Sequence, residues 1–111
     1  MKRSYKKQSQ AEYQRDKRLA ERAEREDQAE ARRARDRSQR MRAIIAQLKA
    51  ERERQGLSLA TVAERIGLNR KNLHRIETNP NANPTLQTLH RIAEALGKSV
   101  HLELHDLGEA S

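Results

Sequence analysis

Between residues 69 and 75 the chain reads Asn-Arg-Lys-Asn-Leu-His-Arg, six polar side chains around one leucine and no carboxylate among them. The chemistry open to such a set is hydrogen bonding to an array of acceptors. Arg70, Lys71 and Arg75 can address guanine O6 and N7, Asn72 can pair bidentately with adenine, and Asn69 and His74 stand beside them as further candidates. To do this the side chains must leave one rigid element on one side, and the apolar residues supply that element. Leu73 and Ile76 at i, i+3 form the inner stripe of one short helix; Val62, Ala63 and Ile66 form one face of another just before it. Gly67 lies between them, where a left-handed turn carries no Cβ penalty, and Asn69 can cap the helix that follows. The pattern is that of two helices joined by a tight turn, the second offering an acid-free basic face. A polar outer face is also what any surface helix shows. Agreement in register between turn, cap, apolar stripe and basic face points beyond that to a DNA groove.

Composition limits what can hold this face in place. Of 111 residues 36% are charged and 34% hydrophobic; Phe, Trp and Cys are absent, and the two tyrosines, Tyr5 and Tyr13, lie in the first 40 residues. A core must therefore come from Leu, Ile, Val, Ala and Met, which cluster only after Met41. A folded part of roughly 60 to 70 residues buries only about 60% of its unfolded surface, so dimerisation would add needed burial. The lack of cysteine excludes disulfides, thiolate catalysis and zinc-finger sites. No apolar run reaches the length of a membrane span and the N-terminus has no signal-peptide pattern, so the expectation is a cytoplasmic protein without a membrane partner.

The net charge of +8 is uneven: residues 1–40 carry 14 Lys/Arg against 8 Asp/Glu, the remainder 10 against 8. Residues 1–40 have no Pro or Gly and are rich in helix formers, yet Tyr13, Leu19, Ala20, Ala23, Ala29, Ala31 and Ala34 make neither a heptad seam nor a wide stripe. This segment reads as a basic, charged arm, helical or partly disordered, with Glu21–Arg25 and Asp36–Arg40 as expected pairs at helical spacing. It is a solvated helix, or one that lies on phosphates or a partner, and the two readings are compatible. Met41, Ile44, Ile45 and Leu48 open the folded domain, expected over 41–98, with a first helix ending near Arg54 at Gly56. Ser58 caps the next helix, 78–84 is a loop, and Thr85 caps a last helix carrying Leu86, Leu89, Ile92, Ala93 and Leu96 before Gly97. In 99–105, Val100, Leu102 and Leu104 alternate with His101, Glu103 and His105, the period of a half-buried strand. With no second strand to pair with, that segment predicts a ribbon shared by two copies in a homodimer, or else an extended tail packed on its own domain. Residues 106–111 are a polar tail.

Residues 41–104 resemble the Xre family of bacterial and phage helix-turn-helix regulators, the group of the lambda-type repressors and Cro proteins. The resemblance rests on Arg52, Gly56-Leu57-Ser58, Val62-Ala63, Ile66-Gly67-Leu68-Asn69, Leu73, Arg75-Ile76-Glu77 and the closing Thr85-Leu86, Leu89, Ile92-Ala93 and Ala95-Leu96-Gly97. It implies an all-α, compact, lambda-repressor-like domain of four to five helices, here with a long charged N-terminal helix and a short C-terminal β-strand added. It also implies base reading by Arg70, Lys71 and Arg75, a structural ion pair between Arg52 and Glu77, and a dimeric repressor on an inverted-repeat operator in double-stranded DNA. Many members open their second helix with a phosphate-contacting Gln where this chain has Leu59, so phosphate anchoring falls to Thr61, Thr78, backbone N–H groups or the basic arm. The layout is similar to HipB-type antitoxins, which would add a toxin partner and the role of autorepressor in a toxin–antitoxin module.

The rival reading is an adaptor or architectural protein that acts through its basic N-terminal helix on RNA or another protein. Enzymatic function finds no support. His74, His90, His101 and His105 fall on separate elements or a polar strand face without a nucleophile, a carboxylate pair or a phosphate loop, and no metal or cofactor is expected. A metal shared by His101 and His105 across a dimer ribbon lacks supporting ligands.

Overall fold

The computed structural model describes residues 9–107. They form four helices, α1 (Gln10–Arg54), α2 (Leu59–Ile66), α3 (Arg70–Thr78) and α4 (Leu86–Ala95). The chain divides into two units, between Arg37 and Ser38, and α1 runs through that division.

In the first unit the helix starts on a capping box. The Ser9 hydroxyl accepts from the Glu12 N–H at 3.1 Å while the Glu12 carboxylate accepts from the Ser9 N–H at 3.4 Å. From there to Arg37 nearly every residue is exposed, Tyr13 and Leu19 included. The expected pairs Glu21–Arg25 and Asp36–Arg40 are not closed. The pairs that form in this stretch join Glu30 to Arg33 at 3.2 Å and to Arg37 at 3.4 Å, and together these arginines draw the Glu30 carboxyl below its ordinary value of 4.5. Exposed pairs of this kind hold a helix only weakly, and long side chains often remain solvated instead.

In the second unit the apolar stripes meet. Ile45 and Leu48 of α1, Val62, Ala63 and Ile66 of α2, Leu73 and Ile76 of α3, and Leu89, Ile92, Ala93 and Leu96 of and just after α4 are buried together. Met41, Ile44, Leu57, Leu59, Leu68, Ala95 and Val100 pack around them. Among the described residues no polar or charged residue is buried, so the core is purely aliphatic, as the composition requires. Each helix is delimited as its end residues dictate. Ser58, Asn69 and Thr85 sit at the N-caps with extended backbone and accept from Thr61, Lys71 and Thr88. Behind Arg54, Leu57 N–H bonds back to the Arg52 carbonyl through Gly56 at φ 70°; behind Ile66, Leu68 N–H bonds back to the Ala63 carbonyl through Gly67 at φ 65°.

Long side chains tie the helices across their ends. Arg65 of α2 donates to the Ala95 carbonyl at 3.0 Å, and Arg91 of α4 returns a bond to the Ile66 carbonyl. Gln55 donates to the Leu96 carbonyl at 2.7 Å and to Glu51, and Lys98 approaches the same carboxylate at 3.8 Å. These bonds satisfy carbonyls that helix ends leave without partners.

One expectation needs correction. Residues 99–105 do not form a strand. Among the described residues none has strand structure, because a ladder needs a second extended segment to pair with and the described residues offer none. Val100 is half-buried against the core, but Leu102 and Leu104 are exposed, Leu104 completely at 102%. Met41 lies inside α1. With no Gly or Pro to interrupt it, the helix that carries Ile45 and Leu48 is the one that begins at Gln10.

Candidate nucleic-acid interface

α3 is positioned from both sides. Its buried stripe, Leu73 and Ile76, packs into the core, and Leu73 is among the most completely buried side chains in the chain. Its C-terminal end is fixed by Glu77, whose carboxylate takes both Nε and Nη2 of Arg52 at 2.9 Å. Arg52 completes its fork by donating through Nη1 to the Leu57 carbonyl at 2.8 Å. The pair is largely enclosed, with 13% of the Arg52 and 8% of the Glu77 side chain exposed, so its geometry is held rather than fluctuating in solvent. The bond to Glu77 raises the arginine above its already high ordinary value, against desolvation that lowers it. One interaction thus joins the end of α1, the turn before α2 and the end of α3.

At the N-terminal end, Asn69 Oδ1 accepts from the Lys71 N–H at 2.7 Å. That use leaves Asn69 only its amide NH2 to offer outward. Arg70, Lys71, Asn72, His74 and Arg75 are all exposed and lie on the sides of α3 away from Leu73 and Ile76. The structure thus brings the candidate base-reading residues onto one short, doubly anchored helix.

The commitment of the cations separates this face from the rest of the unit beyond Arg52. Between Arg52 and Lys98, Arg52, Arg54, Arg65, Arg91 and Lys98 each bind a carboxylate or a helix-end carbonyl. Arg70, Lys71 and Arg75 bind nothing among the described residues. Two of these free cations stand in the first turn of α3, which contains no acid. Placing cations at the positive end of a helix dipole is locally unfavourable, and an external anion would reverse the sign of that term.

The threonines expected to hold phosphate are less available. Thr78 donates its hydroxyl to the His74 carbonyl at 2.7 Å, so as arranged it keeps no donor for a phosphate oxygen. Thr61 shares a hydrogen bond with Ser58 at 2.8 Å, which leaves one hydroxyl proton free between the two. Of the segment expected to dimerise, only Val100 is engaged with the core; Leu102 and Leu104 meet solvent. His101 bonds to the Ser99 hydroxyl and His105 approaches Glu103 at 3.4 Å, both within the same short segment. The sequence reading passed over Glu51, Gln55, Arg65 and Arg91, which hold the helices around the interface. No local pattern announces a side chain that caps a carbonyl 25 to 41 residues away. The Ser9–Glu12 capping box was legible in Ser-x-x-Glu.

Residues 48–102 match the family model described as helix-turn-helix. Over 62 residues, 56% of this chain, the sequence is 36% identical to proteins named HTH-type transcriptional regulator SinR from Bacillus licheniformis and from Bacillus subtilis strain 168. In each case the match covers 56% of the relative's length, so the chain spans little more than half of these proteins. No solved structure matches the chain. The matched span takes in the end of α1, the Arg52–Glu77 pair, α2 with its glycine turn, α3 and α4, and through this domain the chain belongs to the Xre-like helix-turn-helix family.

Proposed function

We propose that this protein is a sequence-specific DNA-binding transcriptional regulator that inserts α3 into the major groove. The observation that carries the proposal is the set of three uncommitted cations, Arg70, Lys71 and Arg75, on one anchored helix in a unit whose other cations from Arg52 onward are bound internally. In this reading Arg70, Lys71 and Arg75 read base edges, with guanine as the favoured partner, and Asn72 and His74 read their neighbours. Asn69 serves first as the helix cap and can add an amide donor. The backbone N–H groups at helix starts and the free hydroxyl of the Ser58–Thr61 pair position the phosphates.

The protein works as a dimer on an inverted repeat and represses by occupying it. What supports this is the C-terminal segment: Leu102 and Leu104 lie exposed at 70% and 102%, and their backbone has no ladder partner among the described residues. The same segment of a second copy, related by a two-fold axis, supplies both a ladder and an apolar face.

The test is selection by the full-length chain from a random duplex pool at physiological salt, with sequencing of the bound fraction. An enriched inverted repeat with half-site centres about 34 Å apart, lost when Arg70 and Arg75 are replaced by Ala, supports the proposal. Binding without enrichment would overturn it and leave an adaptor or architectural role through the N-terminal helix.

A further inference from the structure

The first unit of the chain carries a charge pattern that composition hides. From Gln10 to Arg37 the cations and acids nearly balance, nine against eight, so net charge alone gives this helix no preference for any partner. Their placement is uneven. At about 100° per residue, Arg15, Arg18, Arg22, Arg25, Arg32 and Arg33 fall within one arc of about 100°, and between residues 15 and 33 no acid lies inside that arc. Glu12, Asp16, Glu24, Asp27 and Glu30 occupy the opposite side, Glu21 and Glu26 border the arc at its two edges, and Asp36 falls in line with it beyond Arg33. Arg15, Arg18, Arg22, Arg25 and Arg32 are exposed and make no ion pair or hydrogen bond among the described residues, whereas Arg33 is tied to Glu30. The stripe is about 27 Å long at 1.5 Å per residue.

We propose that this arginine stripe is a second duplex-DNA contact, binding phosphates outside the bases that α3 reads. It rests on the reading of α3 as a DNA-reading helix. Three features select phosphate over a protein surface. The stripe is built from arginine, whose planar fork pairs with phosphate oxygens in two parallel bonds. It has no apolar seam with which to bury surface on another helix; Tyr13 and Leu19 are the large apolar side chains of the stretch, and they are exposed singly. Five of the eight acids lie on the far side and would face away from the duplex, while Glu21 and Glu26 flank the stripe, so one face of the helix is favoured for approach.

The experiment uses the full-length protein and two duplexes carrying the selected sequence, one minimal and one extended by about 20 base pairs on each side. Affinity is measured against salt for the unaltered chain, for R15Q/R18Q/R22Q/R25Q/R32Q, and for a charge-conserving exchange, R22E/E24R/R25D/D27R. On the extended duplex the five-fold variant should lower the slope of log K against log salt by about 4, from about 0.9 per phosphate contact. The exchange variant, with net charge unchanged, should lower it by about 2. Neither should change the slope on the minimal duplex, and circular dichroism should show the helix retained in both. An unchanged slope on the extended duplex overturns the proposal while R70A/R75A still abolishes sequence preference, so the two readings fail separately. Equal loss on both duplexes, or loss in the five-fold variant alone, would reduce the stripe to a net-charge effect and also overturns it. So does tighter binding to duplex RNA, or a change in sedimentation of the free protein, which would make the stripe an RNA site or a contact between copies.

Discussion

At the scale of single residues, the chain separates side chains that hold the domain from side chains left over for a partner. Arg52 and Arg75 are chemically the same, yet Arg52 is closed inside a bidentate pair and Arg75 is exposed without a partner among the described residues. Replacing Arg70 or Arg75 by Ala should leave the unfolding free energy, measured by urea denaturation, within about 0.5 kcal/mol of the original, as expected for a surface site. The same change should weaken binding to the selected sequence by about 1 to 3 kcal/mol and relax discrimination at one position of the half-site, as measured by competition between duplexes. Glu77→Ala should do the reverse. It strands a mostly enclosed guanidinium and should destabilise the fold by about 3 kcal/mol in urea denaturation. The Glu51 carboxyl is held down to about 2, from an ordinary 4.5, first by Arg54 and then by Gln55, with Lys98 adding to it. A folded value below the unfolded one means that its contribution is complete above about pH 4.5 and is lost as the pH falls toward 2. Glu51→Gln should therefore remove part of the acid-induced loss of stability in that window, visible as a shallower dependence of the denaturation midpoint on pH.

At the scale of elements, the geometry depends on where helices stop. The α2–α3 turn places Gly67 at φ 65°, and a Cβ added there would meet Arg91 Nη2 at 3.6 Å, an ordinary contact. Gly67→Ala is thus a test of backbone conformation rather than of space, and it should cost about 1 to 2 kcal/mol in chemical denaturation. A neutral result would mean that the turn rearranges. α2, α3 and α4 begin and end where caps, glycines and apolar stripes place them, within a residue or two, because those signals are local and obey helical periodicity. α1 behaves differently. Its exposed N-terminal part shows no stripe to bury, but absence of a stripe does not stop a helix when propensity is good and no breaker intervenes, so the element extends unbroken from Gln10.

At the scale of the whole molecule, the aliphatic core of the second unit presents α3 by one face, while residues 99–105 have no ladder partner among the described residues. Leu102→Lys should convert a dimer to monomers in sedimentation velocity and lower affinity for the inverted repeat; a dimer of undiminished strength would reject the shared-ribbon proposal. The sequence by itself determined the helix-turn-helix, the aliphatic core positions and the acid-free face of α3, since each follows from residue type and short-range spacing along one element. Tertiary structure alone decided which cations were free. Whether Arg65, Arg91 or Arg75 is available depends on a carbonyl or carboxylate brought near from a distant part of the chain, and spacing along the sequence carries no record of that approach. It decided the fate of residues 99–105 for a similar reason: alternation sets which side chains share a face, but a strand exists only when a second backbone supplies its hydrogen bonds.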